Sequence, residues 1–225
     1  MWNKFNIKTF PSETIVYCDG LYQPELSTIT ETGIINKKYD LPIHIIYVGD
    51  IKDENTLNIN ISVMSQPVFL SVNIKNKFPA FLNIFIKNTG KNSEIRGHIM
   101  CENSSELGLK IVAEHDAPDT GILLQTKIIG NKDSSSSASG VAIINTNCKN
   151  CRSDICFAGH TLDKSAKIRF MPSQRILSVP EFANHSAYIF HPNDKTENYL
   201  RAAGLSGAEV KDAMVEAFIN DFDLF

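Results

Sequence analysis

The sequence predicts a mainly β protein that ends in two short helices. Between about residue 40 and residue 175, segments rich in β-branched and aromatic residues recur roughly every 8–15 residues, with polar turns between them. In TLNINISV, for example, Leu57, Ile59 and Ile61 alternate with asparagines, which is the period of a strand with one buried face. No helical pattern separates these segments. A βαβ fold is therefore excluded, and a sandwich, a barrel or a solenoid of strands remains.

The strand-like segments follow one another along most of the chain. In order they are LPIHIIYVG, TLNINISVM, PVFLSVNIK, AFLNIFIKN, EIRGHIMCE, LGLKIVAEH, GILLQTKIIG, GVAIINTN and AKIRFMP. The serine-rich segment GNKDSSSSASG, residues 130–140, interrupts them, and its composition predicts a flexible, solvated loop.

Two capping boxes mark the helices. Asp194 is the expected N-cap of the first helix with Glu197 at its third position, and the helix stops at Gly204. Ser206 and Glu209 form the same N-cap and third-position pattern at the start of the second helix. We therefore expect helices near 194–203 and 207–221.

The second helix carries an apolar stripe along one face. Its members recur every four positions and are Val210, Met214, Phe218 and Phe222, with Val215 and Ile219 widening the stripe. Such a stripe either docks on its own domain or enters the groove of a partner, and both alternatives stay open at this point.

Composition excludes two classes of partner. The chain has 225 residues and a net charge of −3, and its basic residues do not cluster, so we expect no nucleic-acid partner. No apolar run approaches the roughly 20 residues that a membrane-spanning helix needs. The first residues lack the charged-then-apolar layout of a signal peptide, and we expect a cytoplasmic location.

Three of the five cysteines lie in NTNCKNCRSDICFAGH with the spacing C-x2-C-x4-C. The pair Cys148 and Cys151 matches half of a zinc or ferredoxin-type site, but Cys156 follows at a spacing that no common motif uses. Buried thiols acting as small apolar side chains are the preferred interpretation. The alternative is an independent, homo-oligomeric metal- or cluster-binding protein that uses all three cysteines.

The C-terminal part resembles the SufB/SufD family of iron–sulfur cluster assembly proteins. His185-Ser186-Ala187, Tyr199-Leu200-Arg201, Gly204-Leu205 and Ala217-Phe218 match, without a gap, the family's His-Gly-Ala, Tyr-Leu-Arg, Gly-(Ile/Leu) and Ala-Phe elements. The segment EHDAPDTG resembles the family's His-x-Ala-Pro-x-Thr segment, in which we expect His115 to hold a turn through hydrogen bonds. IVYCDGLYQPELSTI, residues 15–29, resembles a segment of the SufD branch. The chain is shorter than a typical SufD, and alanine replaces the cysteine two residues before the histidine.

The resemblance implies a right-handed parallel β-helix with a small C-terminal helical subdomain. We expect an N-terminal segment over residues 1–39, the β-helix core over 40–190 and the helical subdomain over 191–225. The implied role is a non-enzymatic scaffold subunit that pairs with a SufB-like subunit through the β-helix and binds a SufC-like ABC ATPase through its helices. A homodimer through the β-helix is expected when the chain is alone.

The resemblance also assigns candidate site residues. His185 matches a histidine at the SufB interface, where it is a candidate ligand for iron or a nascent cluster; a turn-capping role is its structural alternative. The candidate residues for ATPase binding are Tyr199, Leu200, Phe218 and Phe222. No cofactor is expected to bind tightly, and iron or an iron–sulfur cluster is expected only transiently at the subunit interface.

Overall fold

The computed structural model describes the backbone of residues 14–18, 21–22, 25, 43–51, 56–63, 67–191 and 194–220. Phe222 and most of the N-terminal segment 1–39 lie outside the described residues. The strands are β1 Thr14–Cys18, β2 Leu21–Tyr22, β3 Ile43–Ile51, β4 Thr56–Val63, β5 Val68–Asn76, β6 Ala80–Asn88, β7 Glu94–Asn103, β8 Glu106–His115, β9 Gly121–Gly130, β10 Ser135–Ile144, β11 Arg152–Thr161, β12 Lys167–Ile176 and β13 Phe182–Phe190. The helices are α1 Asp194–Ala202 and α2 Gly207–Asn220.

From β3 to β13, successive strands alternate between two sheets. Sheet A has the order β13-β11-β9-β7-β5-β3-β1-β2, and sheet B has the order β12-β10-β8-β6-β4. All pairs in both sheets are parallel except β1 with β2. Each coil of the chain therefore adds one strand to each sheet, and the result is the parallel β-solenoid that the family resemblance predicts. β1 pairs with β3, so sheet A continues into the segment 1–39.

Alternate residues of each strand point into the solenoid and form its inner face; the others form its outer face. Parallel pairing in constant register stacks the inner residues in columns. One column runs Leu82, Leu109, Ala138 and Phe170. These columns form the main apolar core, in which most side chains are buried.

The serine-rich segment is not a flexible loop, and this prediction was wrong. Residues 135–144 form β10, which pairs with β8 on one side and β12 on the other. Ser136 is buried, and its hydroxyl lies 2.8 Å from the Asn103 amide nitrogen, which donates to it. The amide of Asn76 donates in turn to Asn103 at 2.9 Å. The stacked side-chain amides of Asn76 and Asn103 form an internal amide ladder. This ladder provides the hydrogen bonds that allow the small polar side chain of Ser136 to be buried at this corner.

Both helices begin at the predicted residues, and α1 ends one residue before its predicted bound. In the capping box of α2, the Glu209 amide donates to the Ser206 hydroxyl at 3.3 Å, and the Ser206 amide donates to the Glu209 carboxylate at 2.8 Å. Gly204 ends the first helix with a φ of 99°, a conformation that favours glycine. None of the described helices is long and apolar enough to cross a membrane.

Helix α2 packs on the outer face of sheet A. Phe218 is 8% exposed and packs with Met100, Ile129 and Ala158 in a second apolar cluster. Tyr188, Leu162, Val215 and Ile219 surround that cluster. Of the two alternatives for the apolar stripe, the structure shows docking on its own domain.

Candidate functional site

The C-terminal end of the solenoid is open. β13 and β12 are the last strands of their sheets, and in the described part of the chain each pairs with one neighbour only. The register places His185 opposite Ile155 and Ala187 opposite Phe157, both of which are inner-face residues. His185 and Ala187 are nevertheless exposed, because no further described coil covers them.

Large apolar side chains surround this open end. Val179 is 73% exposed, in the connection between the two edge strands. The other exposed apolar residues here are Met171, Ile176, Leu177, Phe182 and Phe190. An exposed apolar patch beside two unpaired strand edges is a typical protein-interaction surface. Repeat structures ordinarily need a cap at such an end.

His185 lies in the middle of β13, so it does not cap a turn between strand and helix. Its neighbour Asn184 donates to the carboxylate of Asp154 at 3.3 Å on the outer face. Among the described residues, no group of three His, Cys, Asp or Glu side chains could hold a metal ion. Within the part of the chain that the structure describes, His185 therefore belongs to no ready-made metal site.

Behind the edge strand, a buried lysine holds α2 on sheet A. The Lys127 ammonium donates to the Phe218 carbonyl at 2.6 Å and lies 5.2 Å from the centre of the Phe218 ring. It also lies 3.4 Å from the Ile219 carbonyl. These are carbonyls of the last helical turn, where a cation is favoured by the helix dipole and by free acceptors. Lys127 is completely buried and was not identified from the sequence.

Aromatic rings connect α2 to the edge strand. The Phe218 ring lies 5.9 Å from the Phe190 ring, which lies 5.3 Å from the Tyr188 ring; both partners belong to β13. His160 lies beneath them, 5.4 Å from Phe218 and 6.5 Å from Phe190. Burial lowers the pKa of His160. The side chains that fix α2 thus contact the strand that carries His185.

Three of the four candidate residues for ATPase binding lie in the described part of the chain. Tyr199 on α1 is 74% exposed, and Leu200 beside it is half-buried. Phe218 on α2 is buried against the solenoid, and Phe222 lies outside the described residues. Of these three residues, Tyr199 is therefore the most accessible to a partner, because the ring of Phe218 already fills a site in its own chain.

The three cysteines do not come together. Cys148 and Cys151 are buried in a small cluster with Ile144 at the corner that precedes β11. Cys156 lies further along β11, opposite Gln125 and Ser186 on the outer face. A single site that uses all three thiols is therefore excluded by their positions, and burial of the first two agrees with their interpretation as small apolar side chains.

The turn before β9 confirms the role expected of His115. Its Nδ1 atom lies 2.8 Å from the Thr120 hydroxyl, which donates to the Ala117 carbonyl at 3.0 Å. Burial lowers the pKa of His115 to about 4. The histidine is therefore neutral at pH 7 and serves as a hydrogen-bonding element of the turn.

Comparison with known proteins agrees with this architecture. The family model described as "SUF system FeS cluster assembly, SufBD core domain" matches residues 68–218, which span β5 to α2. No curated protein matches the chain significantly. The match covers more than half of the chain and includes the solenoid, the open end and the docked helix. The chain therefore belongs to the SufBD core-domain family of the SUF system for iron–sulfur cluster assembly.

Proposed function

We propose that this chain is a non-enzymatic scaffold subunit of a cytoplasmic SUF complex, similar to a short SufD, and that its open end pairs with a SufB-like subunit. The observation that carries the proposal is the uncovered inner face of the last coil. Two strand edges lie there, and the exposed apolar side chains of Ile176 and Val179 lie beside them. Strands from another chain could satisfy both edges and cover these side chains at once.

The form of the open end favours a partner of the same architecture. β12 and β13 end their sheets at the same end of the solenoid, so a partner that offers two strand edges could extend both sheets. A SufB-like solenoid would have such edges. A second copy of the present chain has the same edges by definition, so a homodimer is expected when the other subunit is missing.

His185 would lie inside that interface. It stands near the middle of β13 at an exposed inner-face position, where a partner strand would cover it. A neutral imidazole together with a thiolate of the partner is a suitable donor set for iron. The iron or the nascent cluster is in this proposal the cargo of the complex, held only during assembly.

The ATPase would dock on the helical subdomain, chiefly on α1. Tyr199 presents most of its ring to solvent next to the half-buried Leu200, and aromatic residues of this kind often dominate the energy of an interface. α2, fixed to sheet A by Phe218 and Lys127, would support α1 from behind.

Pairing can be tested with a charge in the open end. Ala187→Glu would bury an unpaired carboxylate if a partner covers β13, and we expect a loss of affinity for the SufB-like subunit of roughly 30- to 1,000-fold. Ser62→Glu places the same charge at an exposed residue of β4, at the other end of sheet B, and should bind normally. Equal binding by both variants, measured by co-purification and calorimetry, would refute the pairing proposal.

The roles of the two candidate residues can be separated in the reconstituted complex. His185→Ala should lower cluster formation without changing subunit affinity, whereas its neighbour variant Asn184→Ala should do neither. Tyr199→Ala should weaken ATPase binding roughly 30-fold or more, the usual effect at an aromatic interface anchor. Unchanged cluster formation with His185→Ala would leave the residue without a role in assembly.

A further inference from the structure

A pair of thiols lies at the corner between β10 and β11. Cys148 and Cys151 flank a turn at Lys149 and Asn150, and Asn150 has the left-handed φ of 56°. Both thiols are buried, and both belong to one small cluster with Ile144. A turn of this length brings the backbones of its two flanking residues within the range that a disulfide bridges.

Both sulfur atoms point toward the same turn of the preceding coil. The Cys148 thiol donates to the His115 carbonyl at 3.2 Å, and the Cys151 thiol donates to the Ala117 carbonyl at 3.4 Å. The Cys151 sulfur also lies 3.2 Å from the Thr120 hydroxyl. The same sulfur lies 3.7 Å from the Lys149 carbonyl within the turn. Because the two residues flank one short turn and pack in one cluster, rotation of their side chains is the motion that would join the two sulfur atoms.

A polar groove adjoins the pair on the outside. It has a volume of about 490 Å³, and its walls include Thr120, Asn150, Arg152 and Glu181. Asn150 and Arg152 are the chain neighbours of Cys151, and Thr120 contacts its sulfur directly. Thr120 lines the groove and contacts the Cys151 sulfur, so this side chain separates the two. The groove also carries the carboxylates of Glu94, Asp119 and Glu181 against the one guanidinium of Arg152, so it favours a cationic solute.

We propose that Cys148 and Cys151 form a reversible dithiol–disulfide pair that is oxidised by small disulfides carrying amines, of the cystamine type, which suit the acidic groove. This inference goes beyond the proposed scaffold function and does not depend on it. The pairing follows from the geometry of the corner.

The exchange takes place in two balanced steps. The Cys151 thiolate attacks one sulfur of the small disulfide, whose S–S bond breaks; one small thiol leaves and takes up a proton, and a mixed disulfide remains. The Cys148 thiolate then attacks the Cys151 sulfur and releases the second small thiol. The two cysteines lose two electrons, which reduce the small disulfide to two thiols. Burial raises the pKa of Cys148, in agreement with its place as the second, resolving thiol.

Oxidation at this corner would affect the backbone at the open end of the solenoid. The Cys151 carbonyl accepts hydrogen bonds from the amides of Glu181 and Phe182 at 3.0 and 3.3 Å, and β13 begins at Phe182. A disulfide would remove the thiol hydrogen bonds to His115 and Ala117 and fix the backbone from which β13 starts.

The test is a cystamine–cysteamine redox titration of the full chain, with peptide mass spectrometry after alkylation. We expect a Cys148–Cys151 cross-linked peptide with two hydrogens fewer, which reverts on reduction, while Cys101 and Cys156 remain alkylated. Cys101 is a suitable internal control because burial raises its pKa to about 12. Cys148→Ser should accumulate a cysteamine adduct on Cys151, and Cys151→Ser should accumulate none on Cys148.

The folded state must be retained during the reaction. The strand-type circular dichroism should persist, and the oxidation rate should not follow global unfolding as urea is added. The proposal is overturned by the absence of the cross-link in fully oxidised buffer, by a cross-link that forms only as the chain unfolds, or by a bridge that uses Cys156.

Discussion

Replacing Phe218 with alanine should release α2 from the solenoid while the coils stay folded. The ring is the only side chain of α2 that is buried in the second apolar cluster, and it contacts both β13, through Phe190, and the ammonium of Lys127. A Phe→Ala change in a packed site costs about 3–5 kcal/mol, and the lost cation–π contact is part of that cost. A helix of 14 residues has little stability of its own in water, so this loss should exceed what keeps α2 docked.

Amide hydrogen exchange of α2 and of the strands measures this effect separately for each element. A loss of 3 kcal/mol or more corresponds to exchange in α2 that is faster on the order of 100-fold. Met214→Ala is the matched control, because Met214 lies on the same helix, is only half-buried and does not belong to the cluster. If α2 exchanges no faster in Phe218→Ala than in the control, the docking energy has been assigned to the wrong side chain.

Three further predictions concern stability. Because His115 has a pKa lowered from 6.5 to about 4, only the unfolded chain binds its proton between those values, so stability should fall by up to about 3 kcal/mol as pH drops through this window. In His115→Gln, the urea midpoint of unfolding should change less with pH over this window. An unchanged slope would contradict the assignment of this pH dependence to His115. Gly204→Ala should destabilise the helical subdomain by about 1 kcal/mol through its φ of 99° alone, since no atom lies within 4 Å of the added methyl group; exchange in α1 tests this. Gly140→Ala would place Cβ 2.7 Å from the Phe157 ring and should lower the free energy of unfolding by about 1–3 kcal/mol, with Phe157→Leu restoring part of it in the double variant.

Strands with strict alternation of apolar and polar residues were predicted correctly, because one buried face leaves a clear period-two pattern. β6, with the predicted segment AFLNIFIKN, has the predicted bounds. β10 was missed in part and β11 entirely, because serine and glycine occupy part of their inner columns. Gly140 faces the Phe157 ring, and Ser136 and Ser153 are buried. Size complementarity between coils cannot be seen within a single strand.

The site was predicted only where a local motif marks it. His185 was found through the family resemblance, but its place in an open edge strand depends on which coil is the last one. Lys127 and Phe218 are 91 residues apart in the chain, so no local pattern connects them. The available signal was a lysine within GILLQTKIIG, a strand whose ten residues are all buried. A buried lysine requires acceptors, and these had to come from another element.

Because the central coils share one register, the solenoid could be lengthened without any change to its last coil. Val68, Ile95 and Ile122 stack directly, and the internal amide ladder repeats with the same 27-residue spacing between Asn76 and Asn103. Because each coil contacts mainly its two neighbours, stability in such an array is close to a sum of nearest-neighbour contributions. A duplicate of residues 94–120 could therefore be inserted as one more coil without changing the strand register of the neighbouring coils. The module that carries His185, β13 and α2 would then be displaced as a unit along the solenoid axis, which makes the chain a spacer of adjustable length.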